Sequence, residues 1–374
     1  MLAPTPPMGW NSWNTFGSDI HEDLVREIAD AMVSTGLKDA GYSYVVLDDL
    51  WHLRERDAQG RMIPDPDKFP HGMKAVADYV HGLGLKFGIY SCAGVLTCNA
   101  RAGSYGYEED DAGLFAEWGV DYLKYDYCYP PPGGPKGREL YMRMGQALRA
   151  TGRPILFSVC EWGVNRPWEW GALVGAQMWR TAGDIEDSWE SMTNIVHKQL
   201  GKEKYAGPNR WNDPDMLVVG MYGKGNVANG GMTDTEYRVH FALWCLLAAP
   251  LMIGCDLRSM TPATQQLLSH PGLIALNQDP LGVQGWRAGV NWDVFETWMK
   301  PLEDGSIAVG LLNRSDDKPC IIPACWEALG MHDRRPCRVV DVWSGEELGV
   351  HTRSFGVSVD PHDCRILRLY PQAD

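Results

Sequence analysis

Val120-Asp121-Tyr122-Leu123-Lys124-Tyr125-Asp126-Tyr127-Cys128 is a strand-forming run that ends on charge. Val120, Tyr122 and Leu123 favour extended backbone, and Gly119 before them and Pro130-Pro131-Pro132-Gly133-Gly134 after them bound the segment. Alternate side chains of a strand share a face, so Lys124, Asp126 and Cys128 are expected on one side. An ammonium two positions from a carboxylate on that face favours the ionised acid, as a nucleophile requires.

Working outward, short apolar strands alternate with helical stretches up to about residue 280, the pattern of a parallel α/β fold. Strands are expected at Met8–Trp10, Tyr44–Asp49, Lys86–Tyr90, Tyr122–Asp126, Ile155–Cys160, Met178–Arg180, Met216–Val219 and Leu251–Gly254. Eight such strands fit a (β/α)8 TIM barrel over residues 1–283 better than an open sheet. Helices are expected at His71–Gly82, Tyr107–Glu117, Arg138–Ala150, Ser191–Leu200, Thr233–Ala248 and Pro262–Ser269. Another follows a D-x-x-E capping box at Asp19 and Glu22. Past Asp279-Pro280-Leu281-Gly282 the pattern turns to β, at Asn291–Trp298, Ser306–Leu312, Cys337–Trp343, Gly356–Asp360 and Arg365–Tyr370. This predicts a C-terminal antiparallel β-sandwich over residues 284–374.

The net charge of −14 disfavours nucleic acid and anionic membranes as partners and favours a neutral or cationic substrate. No stretch approaches the roughly 18 consecutive apolar residues of a membrane span. Met1-Leu2-Ala3-Pro4 lacks the regions of a signal peptide, so the chain reads as cytoplasmic, or as secreted with its leader removed. The ten cysteines show no CxxC and no paired-His spacing, which argues against a zinc site. Sixteen Trp and fifteen Tyr supply flat amphipathic rings suited to the C–H faces of sugars.

Barrel enzymes hold their chemistry at the C-terminal strand ends. Collected there are Asp48 and Asp49, Asp126 with Lys124, Glu161, Asp184 after Trp179-Arg180, and Asp213 and Asp215, with Trp10, Trp13, Tyr90, Trp162 and Trp211 among them. Adjacent acids straight after the apolar run Tyr44-Val45-Val46-Leu47 are costly unless they bind something. Carboxylates and aromatic plates around one mouth describe a pocket that hydrogen-bonds hydroxyls and stabilises developing positive charge.

At this point the motifs resemble a family. Pro7-Met8-Gly9-Trp10-Asn11-Ser12-Trp13, Leu47-Asp48-Asp49, Lys86-Phe87-Gly88-Ile89-Tyr90, Lys124-Tyr125-Asp126-Tyr127-Cys128, Cys160-Glu161-Trp162, Trp179-Arg180 with Asp184, Trp211-Asn212-Asp213-Pro214-Asp215-Met216-Leu217 and Asn277-Gln278-Asp279-Pro280-Leu281-Gly282 are similar, in order, to those of glycoside hydrolase family 27, the α-galactosidases and α-N-acetylgalactosaminidases. The resemblance implies a (β/α)8 barrel with a C-terminal β domain, a retaining double displacement, a galactose-containing carbohydrate as substrate and no cofactor. By the same resemblance Asp126 is the nucleophile and Asp184 the general acid/base, and the sugar contacts are Trp13, Asp48, Asp49, Tyr90, Cys98, Lys124, Glu161, Arg180, Asp215 and Met216. It also implies a Cys98–Cys128 disulfide, while Leu50 stands where many relatives place a further bridged cysteine. In a cytoplasmic setting Cys98–Cys128 would stay reduced.

Expectations within the site follow. Asp184 must arrive protonated, so its pKa is expected above the free value. Asp48 and Asp49 are expected to read the C4 and C6 hydroxyls, and Glu161, with Val164 three positions on, to meet the C2 substituent and to favour galactose over its N-acetylated analogue. The alternatives are an α-N-acetylgalactosaminidase, a β-L-arabinopyranosidase or a sugar-binding protein without catalysis. The oligomeric state stays open, a homo-oligomer included.

Overall fold

The computed structural model describes residues 1–134 and 136–372. Its centre is a curled parallel sheet of eight strands: β1 Met8–Asn11, β2 Tyr44–Val46, β3 Lys86–Cys92, β4 Tyr122–Asp126, β5 Leu156–Cys160, β6 Met178–Arg180, β7 Trp211–Asp213 and β8 Leu251–Ile253. They lie in the order β8-β1-β2-β3-β4-β5-β6-β7. The seam between β7 and β8 is joined by the bridge Leu217↔Ile253, where the Leu217 amide donates to the Met252 carbonyl at 2.8 Å and the Gly254 amide to the Leu217 carbonyl at 2.9 Å.

The seventh strand differs from expectation. Trp211-Asn212-Asp213 pairs with β6, while the more apolar Leu217–Val219 carries only the seam bridge. Polar strand residues are tolerated because they are satisfied: Asn212 accepts from Trp179 Nε1 at 2.7 Å and donates to Gln284 Oε1 at 2.8 Å. Pro214, without an N–H, ends the ladder.

Alternation along the strands sorts the core. Tyr44, Val46, Tyr122, Leu156, Met178, Trp211 and Met252 fill the barrel interior, and Val45, Leu123, Phe157, Val159 and Trp179 pack outward under the helices. Gly88 makes room inside: a Cβ there would lie 2.7 Å from Val46 Cγ2 and 3.1 Å from Tyr122 Cβ. Trp211 donates to the Ala3 carbonyl at 3.0 Å, and Trp10 is buried with its Nε1–H on the Cys255 carbonyl, so both are core side chains and not sugar platforms.

Helices run over Glu22–Ser34, Gly72–Gly82, Glu108–Trp118, Arg138–Ala150, Trp189–His197, Asp234–Leu246, Pro262–Leu268 and Pro271–Asn277, the last unforeseen. The expected Asp19–Glu22 capping box is absent. His21 caps that helix through its imidazole, and Glu22 pairs with Arg26. A hairpin of His52–Arg56 and Met62–Pro64, also unforeseen, follows β2.

From Trp286 the chain forms an antiparallel six-stranded sheet, in the order 286–291, 295–301, 307–313, 363–371, 337–341, 347–351. Cys320–Cys325 paired with Ser354–Val359 covers one face, enclosing Val309, Leu311, Ile322, Trp326, Val339 and Leu367. The other face continues the barrel's core through Trp298, Leu302, Leu312 and Ile366.

At that junction the Glu296 carboxylate is fully buried and meets His197 Nε2 at 2.9 Å, Arg287 Nη1 at 3.0 Å, Arg314 Nε at 2.9 Å and Trp298 Nε1 at 2.8 Å. Burial works to raise its pKa, but these donors hold it at about 2. A depressed carboxyl contributes stability in full above its unfolded value near 4.5 and loses it as pH falls towards 2. Glu296→Ala strands the Arg287 and Arg314 guanidinium groups and leaves His197 without its acceptor, and a loss of about 3 kcal/mol is expected in denaturant unfolding at neutral pH, shrinking as the pH is lowered.

Candidate active site

The mouth lies where the strands end. Asp126 is the last residue of β4, in register with Cys92 of β3 and Cys160 of β5. Around it a cavity with about 480 Å³ of free space, mouth included, is bordered by Trp13, Asp48, Asp49, Tyr90, Cys98, Lys124, Arg180, Asp184, Asp215 and Met216. Asn14, Asn99, Cys160, Trp162 and Val227 complete the wall.

Asp126 is 6% exposed. Its Oδ2 accepts from the Tyr90 hydroxyl at 2.8 Å, whereas its Oδ1 is buried with no partner among the described residues. Burial raises its pKa to about 6 against the pull of Lys124, the Cys160 thiol and the Tyr90 hydroxyl. Lys124 is therefore not the close partner of Asp126 that strand alternation implied. Its Nζ bonds Asp48 Oδ2 at 2.7 Å, and Asn11 Nδ2 reaches the same oxygen at 2.8 Å. Asp48 Oδ1 receives the Asp49 amide at 2.9 Å, and Asp49 Oδ2 receives both the backbone and side-chain N–H groups of Asn99 at 3.0 Å. The paired acids are thus fixed acceptors at the end of β2. Burial raises the pKa of Asp49 against those bonds.

On the opposite wall Arg180, 3% exposed, forks between two carboxylates: Nη2 to Asp184 Oδ1 at 2.8 Å and Nη1 to Asp215 Oδ1 at 3.0 Å. Asp215 has a φ of +104° and accepts the Ile185 amide on Oδ2 at 2.8 Å, which ties the loop carrying Asp184 to the end of β7. Strain of this kind clusters at functional sites. Asp184 itself is exposed towards the mouth. Partial burial works to raise its pKa, but Arg180 and Lys124 outweigh it and hold the carboxyl below its usual value. The expectation of a raised Asp184 is thus reversed, because Arg180, four residues before it, bonds the carboxylate directly and with Lys124 outweighs burial.

Glu161 does not border the cavity. It is fully buried, with the Asn165 backbone amide on Oε1 at 2.8 Å and the Asn165 side chain on Oε2 at 2.5 Å, where it holds the loop after β5. Because Cys160 is level with Asp126, Glu161 falls on the opposite parity and Trp162, at a φ of +57°, turns back to the wall. Val164 is exposed. Cys160 and Trp162, rather than Glu161 and Val164, border the cavity. Asn14, which sequence reasoning missed along with Asn99 and Val227, is 2% exposed with an Nδ2 that has no partner among the described residues. Its Asn11-Ser12-Trp13-Asn14 context was legible, but not its side-chain direction.

Cys98 and Cys128 are joined, and the Cys98 sulfur lies 3.4 Å from Asp126 Oδ2. Neither sulfur is then free to ligate a metal. The pocket offers a buried unpaired acceptor on Asp126, an unpaired donor on Asn14, fixed acceptors on Asp48 and Asp49 and an exposed acid on Asp184. This set is chemically suited to hydrogen-bond a polyhydroxylated ring and to present a carboxylate nucleophile to it.

The family profile described as Alpha galactosidase A matches residues 5–279, and that described as Alpha galactosidase C-terminal beta sandwich domain matches residues 293–369. The α-galactosidase of Cyamopsis tetragonoloba is 48% identical over 373 residues, which cover 100% of this chain and 88% of that protein. Among solved structures, α-galactosidase I from Mortierella vinacea superposes with a TM-score of 0.93 at 37% identity, covering 100% of this chain and 98% of that one. The Saccharomyces cerevisiae α-galactosidase solved with raffinose gives a TM-score of 0.88 at 30% identity, over 99% and 98% of the two chains.

Proposed function

The chain belongs to the α-galactosidases of glycoside hydrolase family 27, and from that premise we propose that Asp126 and Asp184 cleave terminal α-D-galactosyl residues by double displacement with retention. The observation that carries the assignment of roles is the unpartnered, buried Asp126 Oδ1 at the wall of the cavity that Asp184 also borders. Asp126 attacks the anomeric carbon and forms a glycosyl ester while Asp184 protonates the departing oxygen. Water, deprotonated by Asp184, then releases galactose with its configuration retained.

Around that chemistry Asp48 and Asp49 serve as acceptors for the sugar's hydroxyls. Lys124, bonded to Asp48, balances their charge. A glucoside would leave a buried acceptor unpaired at the inverted C4 position, and such a defect discriminates strongly. Trp162 and Cys160 bound the ring where Glu161 was expected to.

The reading is tested with aryl glycosides. The α-galactoside is expected to be cleaved with a kcat/KM at least about 100-fold above those of the α-glucoside, the α-N-acetylgalactosaminide and the β-L-arabinopyranoside. Preference for either of the last two would reassign the activity within the family. Trp162→Ala is expected to lower kcat/KM for the α-galactoside by about 100-fold through loss of the wall. Glu161→Gln should lower it by no more than about fivefold and show mainly in thermal unfolding. The opposite ranking would return Glu161 to the pocket.

A further inference from the structure

Asp187 stands three residues after Asp184, is fully buried and does not border the cavity. Nor does it cap the helix Trp189–His197, which Ser188 caps with its own hydroxyl. Instead it closes the glycine-rich loop of residues 222–231. Its carboxylate holds the start of the loop, accepting the Gly223 amide on Oδ2 at 2.7 Å. Its backbone holds the middle and the end: the Asp187 amide donates to the Val227 carbonyl at 3.0 Å, and the Gly231 amide donates to the Asp187 carbonyl at 2.9 Å. The Tyr237 hydroxyl, on the helix Asp234–Leu246, donates to the same carboxylate at 2.8 Å and accepts the Tyr222 amide at 2.7 Å. The two ends of the loop touch, since a Cβ on Gly231 would lie 2.6 Å from the Gly223 nitrogen. At the middle of the loop Val227 borders the cavity, where the Asn14 carbonyl accepts the Asn226 amide at 2.8 Å and the Val227 amide at 3.2 Å.

The short segment that carries Asp184 is therefore tied on both sides. Before Asp184 the Thr181 amide donates to the Asp213 carbonyl at 2.9 Å; after it come the Ile185 bond to Asp215 and the Asp187 clamp. Asp126 is held differently, at the end of β4 between two paired strands. We propose that Asp187 is a positioning residue for Asp184: by pinning the acid/base segment and the Val227 wall to one another, it fixes the place from which Asp184 protonates the leaving oxygen. The proposal rests on the reading of Asp184 as general acid/base. Removing the Asp187 carboxylate leaves the buried Gly223 and Tyr237 donors without their acceptor and frees the loop and the segment together. A shift of about 1 Å at a reacting group can cost about 100-fold, and here the cost falls on proton transfer, because Asp126 keeps its strand.

The test compares kcat/KM for galactosyl-α-1,6-glucose, whose leaving oxygen needs a proton, with that for α-galactosyl fluoride, whose fluoride leaves with little help from an acid. In Asp187→Ala the ratio of the two is expected to fall about 30-fold. Asp187→Asn should keep it within about threefold of wild type, because the amide oxygen still accepts from Gly223 and Tyr237. Glu296→Ala, destabilised at the domain junction and remote from the loop, should leave the ratio unchanged and so separates positioning from general loss of stability. An unchanged ratio in Asp187→Ala overturns the proposal, as does an equal fall in Glu296→Ala. Where Asp187→Ala does not fold, Tyr237→Phe decides in its place, with a fall of about fivefold expected and an unchanged ratio counting against the proposal. An Asp184→Ala variant whose own ratio is unchanged would instead sink the acid/base reading, so the two failures are distinguishable.

Discussion

Asp126→Asn is expected to lower kcat on aryl α-galactosides by about 10⁴-fold or more while leaving thermal unfolding close to wild type. The amide oxygen can still accept the Tyr90 hydroxyl, and Lys124 keeps its ion pair with Asp48, so no buried charge is stranded. What is lost is the ability to form the glycosyl ester, because an amide oxygen beside Oδ1's position is a poor nucleophile. The identity of the nucleophile is checked independently by a 2-deoxy-2-fluoro galactoside with a good leaving group, which should add its mass to the peptide containing Asp126. Activity within tenfold of wild type, or a label on another carboxylate, would remove Asp126 from the role.

The second large effect is at Asp184. Asp184→Ala should lower kcat/KM by about 10²–10⁴-fold on substrates that need protonation to leave, and much less on those that do not. Its pH signature follows from the electrostatics of the pocket. The productive form has Asp126 ionised and Asp184 protonated, yet burial puts the Asp126 pKa at about 6 and Arg180 holds Asp184 below its usual value. The single proton that the pair holds at mildly acid pH therefore sits mostly on Asp126, and the productive form is a minority in exchange with it. Wild-type kcat/KM should be bell-shaped, with a basic limb near pH 6 where that shared proton leaves. Without Asp184 only the ionisation of Asp126 matters. The variant's profile on an activated substrate should instead rise through about pH 6 and stay high. A variant that retains the falling basic limb would assign it to a different group.

β4 was legible to the residue, because its apolar residues, its flanking Gly and Pro and its charged end all agree. The carboxylates at the strand ends were legible for the same reason. What escaped was parity and partnership. Whether Cys160 or Glu161 faces the sugar depends on how β5 registers against β4, and a one-residue change in that register exchanges the two. Trp10 and Trp211 read as platforms because an indole's burial is not written in its neighbours. The seventh strand was placed at Met216–Val219 because apolarity marks the core, whereas Asn212 and Asp213 hold their strand through pairing with β6 and through the Asn212 bond to Gln284, far along the chain. The direction of the Asp184 shift turned on magnitude instead: Arg180 lies only four residues earlier, and its direct bond, with Lys124, outweighs the burial that was expected to win.

The buried Glu296 junction bears on how such chains can be recombined. One side of the knot, His197, belongs to the barrel, and the carboxylate with its two arginines belongs to the β domain. A chimaera that takes the barrel from one relative and the β domain from another inherits half of an ion network, and a mismatched half leaves charge in a dry interface. Shuffling at the apparent boundary separates positions 197 and 296, and should therefore yield folded proteins mainly when the incoming barrel itself supplies a partner for Glu296 at position 197, 99 residues before it.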